Sequence, residues 1–260
     1  MTTDTCPKHG SVSFSGDGHR DTRGVTFTVG GMCKGAGMIM PNMATMIAVI
    51  TTDVPIAAPD LSQALTAAVN KSFNKVTVDS DTSTNDTCFA LASGAAAPDG
   101  PAFTPGTPAF DAFQRALDQL ATTLARKMAA DGEGATRLIT VTVRGAATAD
   151  DADAAARTVA NSPLVKTAVY GHDANWGRVA AALGRSGARF NQEDVDIDIL
   201  GLPVCRAGLV VDFDEEEALR RFEEPEVAIE VDLHAGEESA TMWTCDFSHE
   251  YVTINGDYRS

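Results

Sequence analysis

The stretch from Thr107 to Gly132 constrains this chain more than any other. Phe110, Phe113, Leu117, Leu120, Leu124 and Met128 recur at helical spacing. Thr107-Pro108 supplies a helix start, and Asp131-Gly132 a stop, because glycine takes the left-handed conformation without steric cost. So long an apolar stripe must lie on another layer. A second helix is expected from Asp60, which can cap it, with Leu61, Leu65, Val69 and Phe73 at four-residue intervals. A third covers 149–160, and a fourth begins near Trp176 with Val179, Ala180 and Leu183 inward. Strand candidates are 25–29, 46–51, 138–143, 164–170, 195–200, 209–213, 227–233, 241–247 and 251–254. Helices mixed with strands argue an α/β or α+β layered architecture. Residues 15–24 and 94–107 read as surface loops, and no internal repeat is visible.

The chain has 260 residues, of which 44% are hydrophobic and 22% charged, values that exclude collagen, coiled coil and wholesale disorder. No apolar run approaches the ~20 residues needed to span a bilayer. Residues 1–10 lack the apolar core of a signal peptide, so a soluble, cytoplasmic protein is expected. The formal net charge is −16. Such a surface repels nucleic acid and anionic membranes, whose binding depends on basic side chains. The short acidic runs at Asp214–Glu217 and Glu223-Glu224 read as solvated faces, and the overall acidity fits a salt-adapted cytoplasm. The cysteines (6, 33, 88, 205 and 245) and the five histidines are scattered, without the short spacings of a zinc site or a disulfide framework. No metal and no cofactor is expected.

The densest unusual segment runs from Gly30-Gly31-Met32-Cys33-Lys34-Gly35-Ala36-Gly37 to Pro41-Asn42-Met43-Ala44-Thr45. It is not a Walker A loop, because Lys34 precedes its glycines and no Gly-Lys-Ser/Thr follows. It is not a dinucleotide fingerprint either, since the third glycine is missing and Pro41 would interrupt the helix. A plain loop feeding the strand at 46–51 is the bland alternative. The sharper reading concerns Thr45. Threonine is a weak nucleophile unless a base adjoins it, and a chain-terminal threonine can use its own α-amine, which titrates near ~8. That chemistry requires a cut between Ala44 and Thr45.

Lys34-Gly35-Ala36-Gly37-Met38 and Pro41-Asn42-Met43-Ala44-Thr45-Met46 resemble the self-cleavage and nucleophile motif of the ornithine acetyltransferase family, the bifunctional glutamate N-acetyltransferases of arginine biosynthesis. The segments 1–8, 78–87, 131–136, 162–168, 175–178 and 254–260 resemble further blocks of that family in the same order. The resemblance implies an N-terminal-nucleophile-like, self-cleaving acetyltransferase fold with a smaller C-terminal α/β domain. Residues 1–44 would be the remnant of the α chain, 45–136 the nucleophile-bearing part of the catalytic domain, and 137–260 the C-terminal domain of the β chain. Family members carry a substantial stretch upstream, including a Thr-Gly pair that builds the oxyanion hole, so the resemblance implies a chain truncated at its amino end.

It further implies that Thr45 takes acetyl from N-acetylornithine as an ester and passes it to glutamate, with acetyl-CoA a donor for some members. An α2β2 heterotetramer is the implied assembly. Thr2, Lys34, Thr45, Glu133, Asn255 and Ser260 match the positions that contact substrate. Their side chains suit such contacts, since Lys34 and the hydroxyls of Thr2 and Ser260 can hold a carboxylate, and Glu133 can pair with the ornithine ammonium. The Asp79–Asp86 run is not a calcium loop, because Thr84 and Ala90 stand where a glycine and a bidentate glutamate belong. It reads instead as a hydrogen-bonding turn that supports the site. Two other readings stand beside this one: a related N-terminal-nucleophile aminopeptidase, and an inactive fragment with only a binding role.

Overall fold

The computed structural model describes residues 3–15, 24–40 and 46–257. The chain forms two compact units, one of residues 1–76 and 81–128, the other of residues 77–80 and 129–260. Among the described residues, no helix is long and apolar enough to cross a membrane.

The first unit holds strands β1 (Lys8–Ser15), β2 (Thr26–Lys34) and β3 (Ile47–Thr52), helix α1 (Ala58–Lys71), strand β4 (Thr87–Ala92) and helix α2 (Pro108–Ala130). The sheet order is β1-β2-β3-β4. The first three strands are antiparallel neighbours, and β4 lies parallel to β3. A parallel neighbour needs a crossover connection, and α1 lies in it. The stripe expected on α2 belongs to the core: Phe113, Leu117, Leu120, Leu124 and Met128 are buried, as are the sheet residues Phe27, Val29, Ala48 and Ile50. Each such side chain contributes about 1.5–3 kcal/mol by leaving water.

The glycines at 30 and 31 belong to strand β2 rather than to a loop. Gly31 is the register partner of Gly10, and the two face α2. A Cβ on Gly31 would meet the Val49 carbonyl at 3.0 Å, Ile50 at 3.3 Å and Leu124 at 3.4 Å, and one on Gly10 would meet Leu120 at 3.3 Å. The missing side chains are what let the helix lie so close. The opposite sheet face carries Met32, Ile47, Phe89 and Leu91, each about half exposed or more. Met32 pairs with Val49, which pairs with Phe89, so these side chains make one apolar row across three strands.

The second unit holds β5 (Leu138–Ala146), α3 (Ala149–Ala160), α4 (Pro163–Tyr170), α5 (Trp176–Gly184), β6 (Asp196–Ile199), β7 (Leu202–Arg206), β8 (Leu209–Val210), α6 (Glu215–Arg221), β9 (Glu226–Asp232), β10 (Glu238–Cys245) and α7 (His249–Asp257). Its sheet runs β10-β5-β9-β6-β7-β8, with β5 and β9 parallel and every other pair antiparallel. The side chains of Val141, Val143, Ile229 and Met242 form one core with α3, α4 and α5. Thr148, Ser162 and Asn175 cap these three helices by accepting backbone N–H bonds.

The layered α/β class expected from the sequence is the one found. Two strand assignments are corrected. Residues 164–170 are helix α4, because Ser162 caps and Pro163 starts a helix there. Residues 251–254 lie within α7. The cap of α1 is Ala57, with Asp60 in the first turn. The acidic run at 214–217 opens helix α6: Asp214 caps it, and Glu217 pairs with Arg220 and Arg221.

Candidate active site

Of the residues expected at the site, Thr2, Ala44, Thr45 and Ser260 lie outside the described residues. Lys34, Glu133 and Asn255 lie within them.

Lys34 ends β2, where it is the register partner of Ile47, two residues beyond Thr45. The chain then turns through Gly35, whose φ of 143° lies in the region that favours glycine. A Cβ there would meet Ile39 at 2.9 Å. The Gly35 N–H donates to Asp4 Oδ1 at 2.8 Å, and the same oxygen accepts from the buried Lys8 ammonium. A charge pair from the first block therefore fixes the turn after Lys34. On the other side, the Met46 N–H donates to Asp86 Oδ1, and the Thr87 N–H donates to the Met46 carbonyl at 2.9 Å. Asp86 and Thr87 thus anchor the first described residue after Thr45.

Glu133 follows the end of α2. Its Oε2 accepts from Asn255 Nδ2 at 2.8 Å, and that amide also donates to the Tyr251 carbonyl at 3.0 Å. The two residues stand 122 positions apart, and the segment preceding α7 brings them together. Ser248 Oγ donates to the Gly134 carbonyl at 2.6 Å. Asp246, fully buried, accepts the N–H groups of Thr136 and Arg137 at 2.8 and 3.0 Å and the Thr136 hydroxyl at 2.5 Å. Gly134 has a φ of 69°, and a Cβ on it would meet the Tyr251 nitrogen at 2.5 Å. A carboxylate on the loop after α2 and a carboxamide on α7, held side by side, can grip an ammonium and a polar head group together.

Sequence reasoning missed Asp246, Ser248 and Lys166. The Lys166 side chain is buried; its ammonium donates to the Val78 carbonyl at 2.8 Å and to Thr244 Oγ1 at 2.7 Å. It also sits 4.3 Å from the centre of the Phe247 ring. Burial holds this ammonium below the usual lysine range, against the pull of Cys245, Asp246 and Asp79. Burial also pushes the Cys33 thiol up to about 12 and the Cys88 thiol to about 11, so neither is a thiolate near neutral pH. Among the described residues, no three His, Cys, Asp or Glu side chains converge as a metal site. A cavity of about 1090 Å³ in the second unit, between Trp176, Leu183, Phe190 and Leu209, contains none of the expected site residues.

Comparison with known proteins gives a consistent answer. The ArgJ family profile matches residues 1–260. The Arginine biosynthesis bifunctional protein ArgJ of Symbiobacterium thermophilum is 51% identical over 260 residues, which are 100% of this chain and 63% of that protein. Its namesake in Chlorobium chlorochromatii is 48% identical over 261 residues, 100% of this chain and 58% of that protein. The chain therefore spans about three-fifths of the length of these curated relatives. The crystal structure of Arginine biosynthesis bifunctional protein argJ from Bacillus halodurans superposes with a TM-score of 0.78 at 43% identity, covering 81% of this chain and 98% of the solved one. With a full-length family match and close relatives over its whole extent, the chain belongs to the ArgJ family.

Proposed function

We propose that this chain carries the chemistry of a glutamate N-acetyltransferase, moving acetyl from N-acetylornithine to glutamate through an acetyl-Thr45 ester. The observation that carries the reading is the pairing of Lys34 with Ile47, flanked by the Asp4–Lys8 pair and by Asp86. It anchors the chain on both sides of the Ala44-Thr45 bond. The lengths of the chains support it as well: the Bacillus halodurans chain is about four-fifths as long as this one, as residues 45–260 alone would be.

The steps follow from the residue types. The Thr45 hydroxyl adds to the Ala44 carbonyl, an ester forms as the peptide C–N bond breaks, and the hydroxyl proton passes to the nitrogen. Water then hydrolyses the ester, leaving residues 1–44 and 45–260 as separate chains. The freed α-amine of Thr45 is the base for the next attack, on the acetyl carbonyl of N-acetylornithine. Ornithine leaves with the proton, and the glutamate amine then attacks the acetyl ester, which regenerates the Thr45 hydroxyl. Glu133, oriented by Asn255, pairs with the ornithine ammonium, while Lys34, Thr2 and Ser260 hold carboxylates. Acetyl-CoA is a second acyl donor in this proposal. The working assembly is an α2β2 tetramer in the cytoplasm, with residues 1–44, 45–136 and 137–260 as its functional divisions.

Intact mass and terminal sequencing test the reading, on the chain extended to the relatives' length. Wild type is expected as two fragments that meet between Ala44 and Thr45, and Thr45→Ala as one uncut chain without transfer activity. Cleavage of Thr45→Ala at the same bond, with contaminating protease excluded, would refute it.

A further inference from the structure

Asp86, at the end of the 79–86 run, holds the chain at the residue that follows the nucleophile in sequence, and the reaction sequence above leaves it without a part. Its Oδ1 accepts the N–H of Met46. The next residue, Thr87, donates its own N–H to the carbonyl of Met46 at 2.9 Å. Both polar groups of one peptide residue are thus tied to two consecutive residues at the head of β4. The Ile47–Thr87 pair then opens the parallel ladder. Met46 is 3% exposed, so its backbone is anchored in a place that water does not reach freely.

The tie differs from an ordinary strand hydrogen bond. A parallel ladder is made of backbone groups alone, whereas here a side-chain carboxylate meets the amide at the entrance to β3. A carboxylate accepting a backbone N–H is a charge-assisted bond, roughly twice as strong as a neutral one. Covalent geometry gives it a consequence. Two bonds join the Met46 nitrogen to the Cα of residue 45, so bond lengths and one bond angle hold the two ~2.4 Å apart whatever the dihedrals. Anchoring that nitrogen confines the start of the Thr45 side chain to a shell of that radius. Misplacing a reacting group by ~1 Å can cost about a hundredfold in rate.

We infer that Asp86 is a positioning residue for the Thr45 nucleophile, acting through the Met46 amide, and that it accelerates self-cleavage. The inference rests on the reading of Thr45 proposed above. In the extended chain, cleavage is followed by intact mass after release from denaturant, for wild type, Asp86→Ala, Asp86→Asn and Thr45→Ala. Asp86→Ala should fold and be cut about 10- to 100-fold more slowly. Asp86→Asn keeps an acceptor oxygen at the same reach and should restore the rate to within about threefold of wild type, a rescue that a loss of general stability would not give. Should Asp86→Ala not fold, Asp86→Ser, whose hydroxyl stops short of Met46, is read in the same way. Cleavage of the truncated side chains at the wild-type rate overturns the inference, and so does an Asn variant as slow as Ala. Cleavage of Thr45→Ala, or a wild type that stays whole, overturns the reading of Thr45 instead.

Discussion

Replacing Lys166 by methionine removes a buried cation while keeping most of its volume. Its ammonium donates to the Val78 carbonyl and to Thr244, and the residue is 1% exposed. Two effects oppose each other. Removing the charge relieves the cost of keeping an ammonium out of water, and apolar replacements of buried ions are sometimes neutral or stabilising. Against that, the Val78 carbonyl loses the Lys166 bond, and an unsatisfied buried acceptor costs about 1–3 kcal/mol. The Thr244 hydroxyl keeps a long contact to the Cys245 carbonyl at 3.5 Å, so its loss is smaller. The burial that lowers the Lys166 pKa is offset in part by Cys245, Asp246 and Asp79, so the relief on removing the charge is partial as well. Lys166→Met should therefore lose about 1–3 kcal/mol at pH 7. Lys166→Ala should lose about 2–5 kcal/mol, because a cavity is added. Trp176 and Trp243 both belong to the second unit, so urea unfolding followed by tryptophan fluorescence reports on it. The pH dependence has a definite sign. A lysine with a lowered folded pKa loses its proton first in the folded state. Stability from this group then rises with pH, from the folded pKa up to the ordinary 10.5. The gap between wild type and Lys166→Met should widen as pH rises below that value. A methionine variant as stable as wild type at pH 7, or a gap that stays flat with pH, would refute the reasoning.

Four further outcomes are expected. Gly134→Ala puts a side chain at a φ of 69° and against Tyr251, and should cost roughly 2–4 kcal/mol in urea unfolding. Leu124→Ala opens the core under α2 and should cost about 2–5 kcal/mol, read by circular dichroism because the first unit has no tryptophan. Glu133→Gln removes the charge facing the ornithine ammonium in the proposed site and should raise the KM for N-acetylornithine about tenfold or more, in steady-state kinetics of the extended chain. At pH 8 a thiol reagent should modify the exposed Cys6 first and spare Cys33 and Cys88, with the order read by peptide mass mapping.

The sequence was legible where local signals and burial agreed. Helix α3 begins and ends at the expected residues, because a threonine cap and an alanine stripe point the same way. The stripe of α2 is buried as its spacing demands. The segment 164–170 misled because its β-branched residues outweighed the Ser162-Pro163 start in a strand reading. β1 escaped notice because serine and glycine alternate with its few apolar residues, and only pairing with β2 gives it a place. At the site, no spacing rule joins Glu133 to Asn255 across 122 positions, and the family resemblance alone named both. Asp246 and Ser248 support them by holding backbone atoms, a role that leaves no pattern in a single sequence.

The open face of the first sheet has a colloidal consequence. Phe89 and Leu91 are 54% and 61% exposed beside Met32, an apolar strip on a chain whose net charge is −16. At low ionic strength, repulsion between whole molecules keeps such strips apart. The screening length falls from about 10 Å at 0.1 M salt to about 3 Å at 1 M, while contact between apolar surfaces is not weakened. Added salt therefore removes the barrier and leaves the attraction. The isolated chain should scatter more light as sodium chloride is raised, and Phe89→Lys with Leu91→Lys should hold it clear.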